Sequence, residues 1–215
     1  MTTEEILQIV SLAICALCVV GVVLVATLGK KRARANELVF ASACIALSFV
    51  LSFIKVKVGA EGGSVTLASF VPLIIYSYVA GARKGFLAGA IYGLLQIVEG
   101  GVWFVSVVQL LCDYILAFAF IGLAPVFKKV SKNKAVGIYL GTAIVVFARF
   151  LMHTVAGMYF YPEMAFGEAL VTSVLYNGAY MLPELAITIA VMAVLVHTKK
   201  FDFLTSQLER AIGKE

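Results

Sequence analysis

Seven long apolar runs dominate the sequence and decide what kind of fold the chain can have. A helix needs about 20 mostly apolar residues to cross the hydrocarbon core of a bilayer, and each run reaches or approaches that length. Hydrophobic residues make up 62% of the chain and charged residues only 13%, whereas about 25% of a soluble domain is charged. The sequence therefore predicts an all-α integral membrane protein. The predicted spans are 5–29, 37–54, 65–82, 85–99, 103–127, 135–158 and 169–197.

Basic residues are concentrated in alternate connections, and this pattern predicts the orientation of the chain in the membrane. The connections after the first, third and fifth runs, and the tail, contain pairs or groups of lysine and arginine. Such groups mark the cytoplasmic side of a membrane protein. The N-terminus is therefore expected outside the cell and the C-terminus in the cytoplasm, with outward loops at 55–64, 99–102 and 159–168. The same groups are expected to flank membrane spans and not to bind nucleic acid.

Three segments are predicted along the chain. Residues 1–36 comprise an extra N-terminal transmembrane helix and a basic linker, and residues 37–198 form a core of six helices. Residues 199–215 form a short cytoplasmic tail, which is predicted to be an amphipathic helix. Within the core, the run at 85–99 places three glycines four residues apart, at Gly85, Gly89 and Gly93. Small residues at that spacing allow a neighbouring helix to approach closely.

Strongly polar residues inside the apolar runs are the candidates for function. A charged side chain at the bilayer centre costs about 2.5–3.5 kcal/mol on the insertion scale, so such residues usually face a cavity or one another. Asp113 lies in the middle of "VVQLLCDYILAF". It could form a static buried pair with Arg149, or it could be the counter-ion of a cationic ligand, and the pattern leaves both open. The full set is Asp113, Arg149, His153, Asn177 and Glu184.

Aromatic residues lie close to these polar positions and towards the predicted outward ends of the runs. Trp103 opens the fifth run, Tyr114 follows Asp113, and Tyr161 lies beyond the end of the sixth. A belt of interfacial aromatic residues is common in membrane proteins. A belt alone does not account for an acid, a histidine and an asparagine on three different runs. The pattern therefore favours aromatic rings around a flat cation, with the acid beside it.

Three blocks of residues carry a resemblance to a known family. They are Q-L-L-x-D-Y-x-x-A-F at 109–118, R-x-x-x-H-x-x-x-G at 149–157 and Y-N-x-x-Y-M-x-P at 176–183. In this order they resemble the thiamine-specific S-component of energy-coupling factor (ECF) transporters. The resemblance covers about residues 37–197. It implies a six-helix substrate-binding membrane domain that binds a vitamin near the outer surface and associates with a transmembrane coupling protein and two ATPase subunits.

The resemblance also implies a set of ligand contacts by motif position. The ligand, thiamine, joins a thiazolium cation to an aminopyrimidine. Its contacts would be Asp113, Tyr114, His153 and Asn177, with Trp103 and Tyr161 as aromatic walls. The family often has a tryptophan or phenylalanine where Tyr161 stands and a tyrosine where Thr172 stands. A thiamine precursor or analogue is therefore a further expected ligand.

The predicted coupling surface rests on small residues of the first core helix. Ser42 and Ala46 are four residues apart and, by the same resemblance, would pack against the coupling protein. Small residues at this spacing also serve ordinary packing inside a bundle, which is the alternative.

The source of energy is not in this sequence. It contains no G-x-x-x-x-G-K-[ST] motif, so the chain is not expected to be its own P-loop ATPase. Energy must come from partners or from an ion gradient. The alternative function is a self-sufficient proton-coupled carrier that uses Asp113, Arg149, His153 and Glu184 as a relay. No H-E-x-x-H or G-x-S-x-G motif occurs, and neither an enzyme nor a metal or other cofactor is predicted.

Overall fold

The fold is a bundle of apolar helices with a small hairpin at one end. The computed structural model describes Val20 and residues 35–59, 63–100, 106–161 and 163–213, so the predicted first span at 5–29 lies outside the described residues apart from Val20. The helices are α1 Ala35–Ser52, α2 Val71–Ala80, α3 Ala82–Gly100, α4 Val107–Lys128, α5 Lys134–Gly157, α6 Phe166–His197 and α7 Lys200–Ala211. Strands β1 Lys55–Lys57 and β2 Ser64–Thr66 pair antiparallel between α1 and α2.

Four helices of the described residues, α1, α4, α5 and α6, are long and apolar enough to cross a membrane. A 3-10 turn, Met158–Phe160, extends α5. Large apolar side chains on the outside of the bundle are exposed, among them Val50, Leu175 and Val194. Acyl chains can cover such side chains, and the hydrogen bonds inside each helix satisfy the backbone in hydrocarbon.

Helix α2 is much shorter than the predicted span at 65–82. Pro72 lies in its first turn, where a missing N–H is not needed, and Gly81, with φ of +100°, ends it. Residues 64–66 pair with β1 and are not helical. A helix of 10 residues rises about 15 Å, half of the hydrocarbon core of about 30 Å. All of α2 is buried, so protein and not lipid surrounds this apolar segment.

Helices α3 and α4 approach each other closely, as the glycine spacing predicts. A Cβ atom on Gly89 would lie 2.1 Å from the carbonyl oxygen of Phe118, and one on Gly93 would lie 2.0 Å from that of Tyr114. Side chains at these two positions would push the helices apart. The close contact matters because it fixes the segment of α4 that carries Asp113.

The tail helix α7 packs across the end of the bundle where α2 ends. Phe201 of α7 is 1% exposed and meets the ring of Tyr78 edge-on, with centroids 5.3 Å apart. Lys134, at the start of α5, forms an ion pair with Asp202 of α7. We call this the basic end, because lysines of the α4–α5 connection lie here. The opposite end, which carries β1 and β2, is the hairpin end.

Candidate functional site

A π-helical turn in α4 presents the acid. Ser106 caps the helix by accepting a hydrogen bond from the backbone N–H of Gln109 at 3.1 Å, and residues Leu111–Leu116 then form a wider π-helical turn. Such turns are rare in proteins, but those that occur often lie at functional sites. Asp113 and Tyr114 both lie in this turn, and both face a cavity near the hairpin end.

The cavity has a volume of about 210 Å³ and lies between the hairpin and helices α3 to α6. It is smaller than the pockets of roughly 300–1,000 Å³ that hold drug-sized ligands, so it suits one small molecule. Trp103 lies outside the described residues. The other five residues predicted to contact a ligand all line the cavity: Asp113, Tyr114, His153, Tyr161 and Asn177.

Asp113 is held from two sides and still faces the cavity. His153 Nδ1 lies 2.7 Å from one carboxylate oxygen, and Gln109 Nε2 donates to the other at 3.0 Å. An ionised carboxylate offers about four lone-pair positions, so about two remain. The side chain of Asp113 is 17% exposed. The acid therefore has a fixed orientation and spare capacity to accept hydrogen bonds from a ligand.

His153 separates Asp113 from Arg149. The Nε–H group of Arg149 donates to His153 Nε2 at 3.1 Å, and a guanidinium can only donate. His153 Nε2 must then accept, so the imidazole is neutral and its Nδ1–H donates to Asp113. In the described residues Asp113 has no direct hydrogen bond to Arg149, which removes the static Asp–Arg pair considered above.

Arg149 itself is held by aromatic rings. Its guanidinium carbon lies 4.6 Å from the ring centroid of Phe70 and 4.7 Å from that of Phe118. Its Nη1 atom is buried and has no hydrogen-bond partner among the described residues. A buried donor without a partner costs about 1–3 kcal/mol. Because Arg149 lines the cavity, a ligand atom that accepted from this nitrogen would recover that energy.

Asn177 links α6 to α5 and has one acceptor position left. Its Nδ2 group donates to the carbonyl oxygens of Ser173 at 2.8 Å and His153 at 3.2 Å. The hydroxyl of Tyr180 donates to its Oδ1. An amide oxygen has two lone pairs, so Oδ1 can still accept from an amine. Helices α5 and α6 approach each other closely here, since a Cβ atom on Gly157 of α5 would lie 2.2 Å from Ser173 Oγ of α6.

Glu184, the remaining polar candidate, lies outside the cavity lining. It is fully buried, and its carboxylate accepts from the backbone N–H of Thr66 at 2.5 Å and from the Thr66 hydroxyl at 2.7 Å. These bonds tie the end of β2 to α6. The hairpin is held at a second point beside the start of β2, because the N–H of Gly63 donates to the Tyr176 hydroxyl at 2.7 Å. Glu184 therefore anchors the hairpin that covers the cavity.

Several cavity residues are absent from the set predicted by motif position. Tyr176 and Tyr180 flank Asn177 and stack edge-on at 5.6 Å, and Gln109 lies one helical turn before Asp113. All three belong to the motif blocks, so the sequence contained a signal for them. Lys55 of β1 and Glu99 of α3 form an ion pair in the cavity wall. No motif links these two. Among the described residues, no group of three His, Cys, Asp or Glu side chains is placed to hold a metal ion.

A bundle of apolar helices with a charged, aromatic-lined cavity near one end is an arrangement that suits a membrane protein for binding a small polar solute. Comparison with known proteins gives the family. Residues 38–203 match the model of the thiamine transporter protein family. The chain therefore belongs to the thiamine transporter family.

Two relatives support this assignment. The thiamine transporter ThiT of Bacillus subtilis (strain 168) is 33% identical over an alignment of 149 positions, and the match covers 64% of this chain and 77% of that protein. A solved structure of ThiT from Listeria monocytogenes is 28% identical, with a TM-score of 0.66 over 77% of this chain and 96% of that one. The predicted family and the all-α membrane fold are thereby confirmed, and the family is one of transporters and not of enzymes.

Proposed function

We propose that this chain is the substrate-binding subunit of an ECF-type importer and binds thiamine, or a close precursor or analogue, in the cavity beside Asp113. One observation carries the proposal: in a member of the thiamine transporter family, a buried carboxylate with spare lone pairs faces an aromatic-lined cavity. In this proposal the cavity faces the outside of the cell, the N-terminus lies outside, and the basic end, with the C-terminus, lies in the cytoplasm.

The chemistry of thiamine suits the groups in the cavity. The thiazolium ring would lie next to Asp113, with Tyr114 and Tyr161 offering ring faces, and the exocyclic amine would donate to the free lone pair of Asn177 Oδ1. Arg149 Nη1 could donate to a nitrogen of the pyrimidine ring. A desolvated cation–π contact contributes about 2 kcal/mol, and a hydrogen bond to a charged group about 1.5–3 kcal/mol. A few such contacts reach about −12 kcal/mol, which is nanomolar affinity.

A binding titration tests the ligand. We expect the purified full chain to bind thiamine with nanomolar affinity and to show no comparable response to other vitamins. The sequence has one tryptophan, Trp103, and it is a proposed wall of the site, so quenching of its fluorescence should report binding. Calorimetry on the same sample gives an independent affinity. A response to another vitamin without a response to thiamine would change the proposed ligand and leave the fold untouched.

The surface of α1 supports the proposed coupling contact. Ser42 and Ala46 are both exposed and lie on one face of α1. Exposure favours packing against a partner helix over packing inside this bundle. In the proposal, a transmembrane coupling protein docks on this face and two ATPases supply the energy, while residues 1–36 form an additional segment beside the domain at 37–198.

We expect Ala46→Leu to impair transport without impairing binding. A bulky side chain on a close helix contact costs about 1 kcal/mol or more, which is roughly fivefold weaker association with the coupling protein. Uptake of labelled thiamine by proteoliposomes that contain the coupling module should fall accordingly, while the affinity of the isolated chain stays constant.

Ala179→Leu is the matched control, because Ala179 is exposed on α6, away from the face of α1. Equal uptake by the Ala46→Leu and Ala179→Leu proteins would argue against this coupling surface. Uptake driven by a pH gradient, with this chain as the sole protein in the liposome, would instead favour the proton-coupled carrier.

A further inference from the structure

The face of α1 that points away from the bundle is apolar and has no partner among the described residues. Of the four helices that are long and apolar enough to cross a membrane, α1 is the least buried. Leu47 and Val50 on its outer face are 52% and 61% exposed, and Ala43 between them and the basic end is exposed too. This face can be covered by lipid or by another helix.

Two rows of side chains make up this outer face. An α-helix turns by about 100° per residue, so Ser42 and Ala46 lie on one row, and Ala43, Leu47 and Val50 lie on a second row about 90° away. We call the second the Leu47 row. In the proposed function the coupling protein docks on the row of Ser42 and Ala46. The Leu47 row therefore remains open to a different partner.

The chain itself supplies a candidate for that partner. The predicted span at 5–29 lies outside the described residues apart from Val20, and only the five residues 30–34 separate it from the start of α1. A linker of this length reaches at most about 20 Å, and packed helices lie about 8–10 Å apart. Connections this short usually join antiparallel neighbours. The span is therefore expected to cross the membrane beside α1.

The sequence of the span complements the Leu47 row. On a helix, Cys15 and Cys18 share one face. Cys18 lies 11 residues before the end of the span, and Leu47 lies 12 residues after the start of α1. For Cys15 and Val50 the corresponding separations are 14 and 15 residues. In an antiparallel pair these small residues would lie level with the two large ones, which is the alternation that lets helices interdigitate.

We propose that residues 5–29 form a helix that packs antiparallel on the Leu47 row of α1 and stays there when the coupling protein docks on the neighbouring row. The first half of this inference rests on α1 and on the length of the linker. The second half rests on the proposed coupling function. In this arrangement α1 lies between a helix of its own chain and a helix of the coupling protein.

Disulfide cross-linking of the full chain in membranes tests the first half. The variant carries Leu47→Cys as a partner for the native Cys18, with Cys15→Ala and Cys44→Ala to remove other thiols that could compete. Cys112 is fully buried and can stay. We expect oxidation with copper phenanthroline to join Cys18 to the new cysteine within one chain, because facing positions of packed helices bring two Cβ atoms close enough for a disulfide.

Ala46→Cys in the same background is the matched control, since Ala46 is exposed at nearly the same depth but on the other row. Its disulfide yield should be at least about fivefold lower, because a disulfide requires Cα atoms within about 7 Å. Trypsin cleaves the basic linker, so mass spectrometry should find peptides 1–30 and 35–55 joined. A higher yield for Ala46→Cys, no disulfide in either variant, or a disulfide only between two copies of the chain would overturn the inference.

Import of labelled thiamine by the cross-linked chain tests the second half. The Leu47→Cys chain is oxidised before it is reconstituted with the coupling module, and the same background without Leu47→Cys shows the effect of the oxidant alone. We expect the oxidised and reduced chains to import at equal rates. A loss of import that a reductant reverses would show that the span must leave α1, and would overturn this half. If neither form imports, the proposed coupling function fails together with this half, while the cross-link alone decides the first half.

Discussion

Asp113→Asn should bind thiamine at least about a hundredfold more weakly than the wild-type protein, while it still folds. Loss of one partner from a buried charge pair costs about 3–5 kcal/mol, which corresponds to at least about a hundredfold weaker binding. The substitution keeps the shape of the side chain, and its carbonyl oxygen can still accept from either His153 or Gln109. The other contact then places an amide N–H against a donor, so a loss of stability of about 1 kcal/mol is expected.

The measurement combines calorimetric affinity with thermal unfolding, with and without thiamine. The melting temperature of the free Asp113→Asn protein should fall by only about 2–4 °C. At the same ligand concentration, the stabilisation that thiamine gives the wild-type protein should be much smaller in the variant. Glu168→Gln is the control, since Glu168 is an exposed acid in the first turn of α6. If Asp113→Asn binds thiamine as tightly as Glu168→Gln does, the acid of the site lies elsewhere.

The second large effect is expected from Gly93→Ala, which adds a single methyl group at the contact of α3 with α4. That carbon would lie 2.0 Å from the carbonyl oxygen of Tyr114, so one helix must move by more than 1 Å. Overpacking of this kind typically costs about 1–3 kcal/mol, and a backbone atom cannot rotate away, so the upper end is expected. The melting temperature should fall by about 6–12 °C. Thiamine should bind about tenfold or more weakly, because the residue displaced is next to Asp113.

Gly178→Ala is the control: it is the same type of substitution, but it is expected to raise the melting temperature instead of lowering it. Gly178 lies within α6, and an added Cβ atom would meet nothing within 4 Å. Alanine is favoured over glycine inside a helix by about 0.8–1.0 kcal/mol, so this substitution should raise the melting temperature slightly and leave binding intact. Equal melting temperatures for the two variants would contradict the described packing of α3 on α4.

The polar part of the site was largely predictable from the sequence. Asp113, His153 and Asn177 interrupt runs that are otherwise apolar, and each such interruption must be compensated. The regular geometry of long helices and the fixed order of the motif blocks then bring them into one cavity. The sequence did not predict that His153 lies between the acid and Arg149. The spacing of Arg149 and His153 shows that they share a helix face, but it does not show which group each side chain hydrogen-bonds to.

Three features could not be predicted from the sequence, for physical reasons. The Lys55–Glu99 pair joins residues 44 positions apart, and depends on how the hairpin folds back over α3. The short helix α2 could not be distinguished from a full span by composition, since burial in protein and burial in lipid both require apolar residues. The π-helical turn at Leu111–Leu116 also has no recognisable sequence signal, because its residues occur equally in ordinary α-helices.

That turn has a consequence for how ligand choice could diverge among related proteins. An α-helix turns by about 100° per residue. A π-helical turn holds more residues than an α-helical turn, so the side chains in it point in directions that differ from those of a regular α-helix. Removal of one codon within Leu111–Leu116 would restore ordinary geometry and swing the carboxylate towards a different neighbour, with no change in the type of any remaining side chain. In such a lineage an insertion or deletion could redirect specificity as effectively as a substitution, and an alignment that treats gaps inside helices as errors would overlook it.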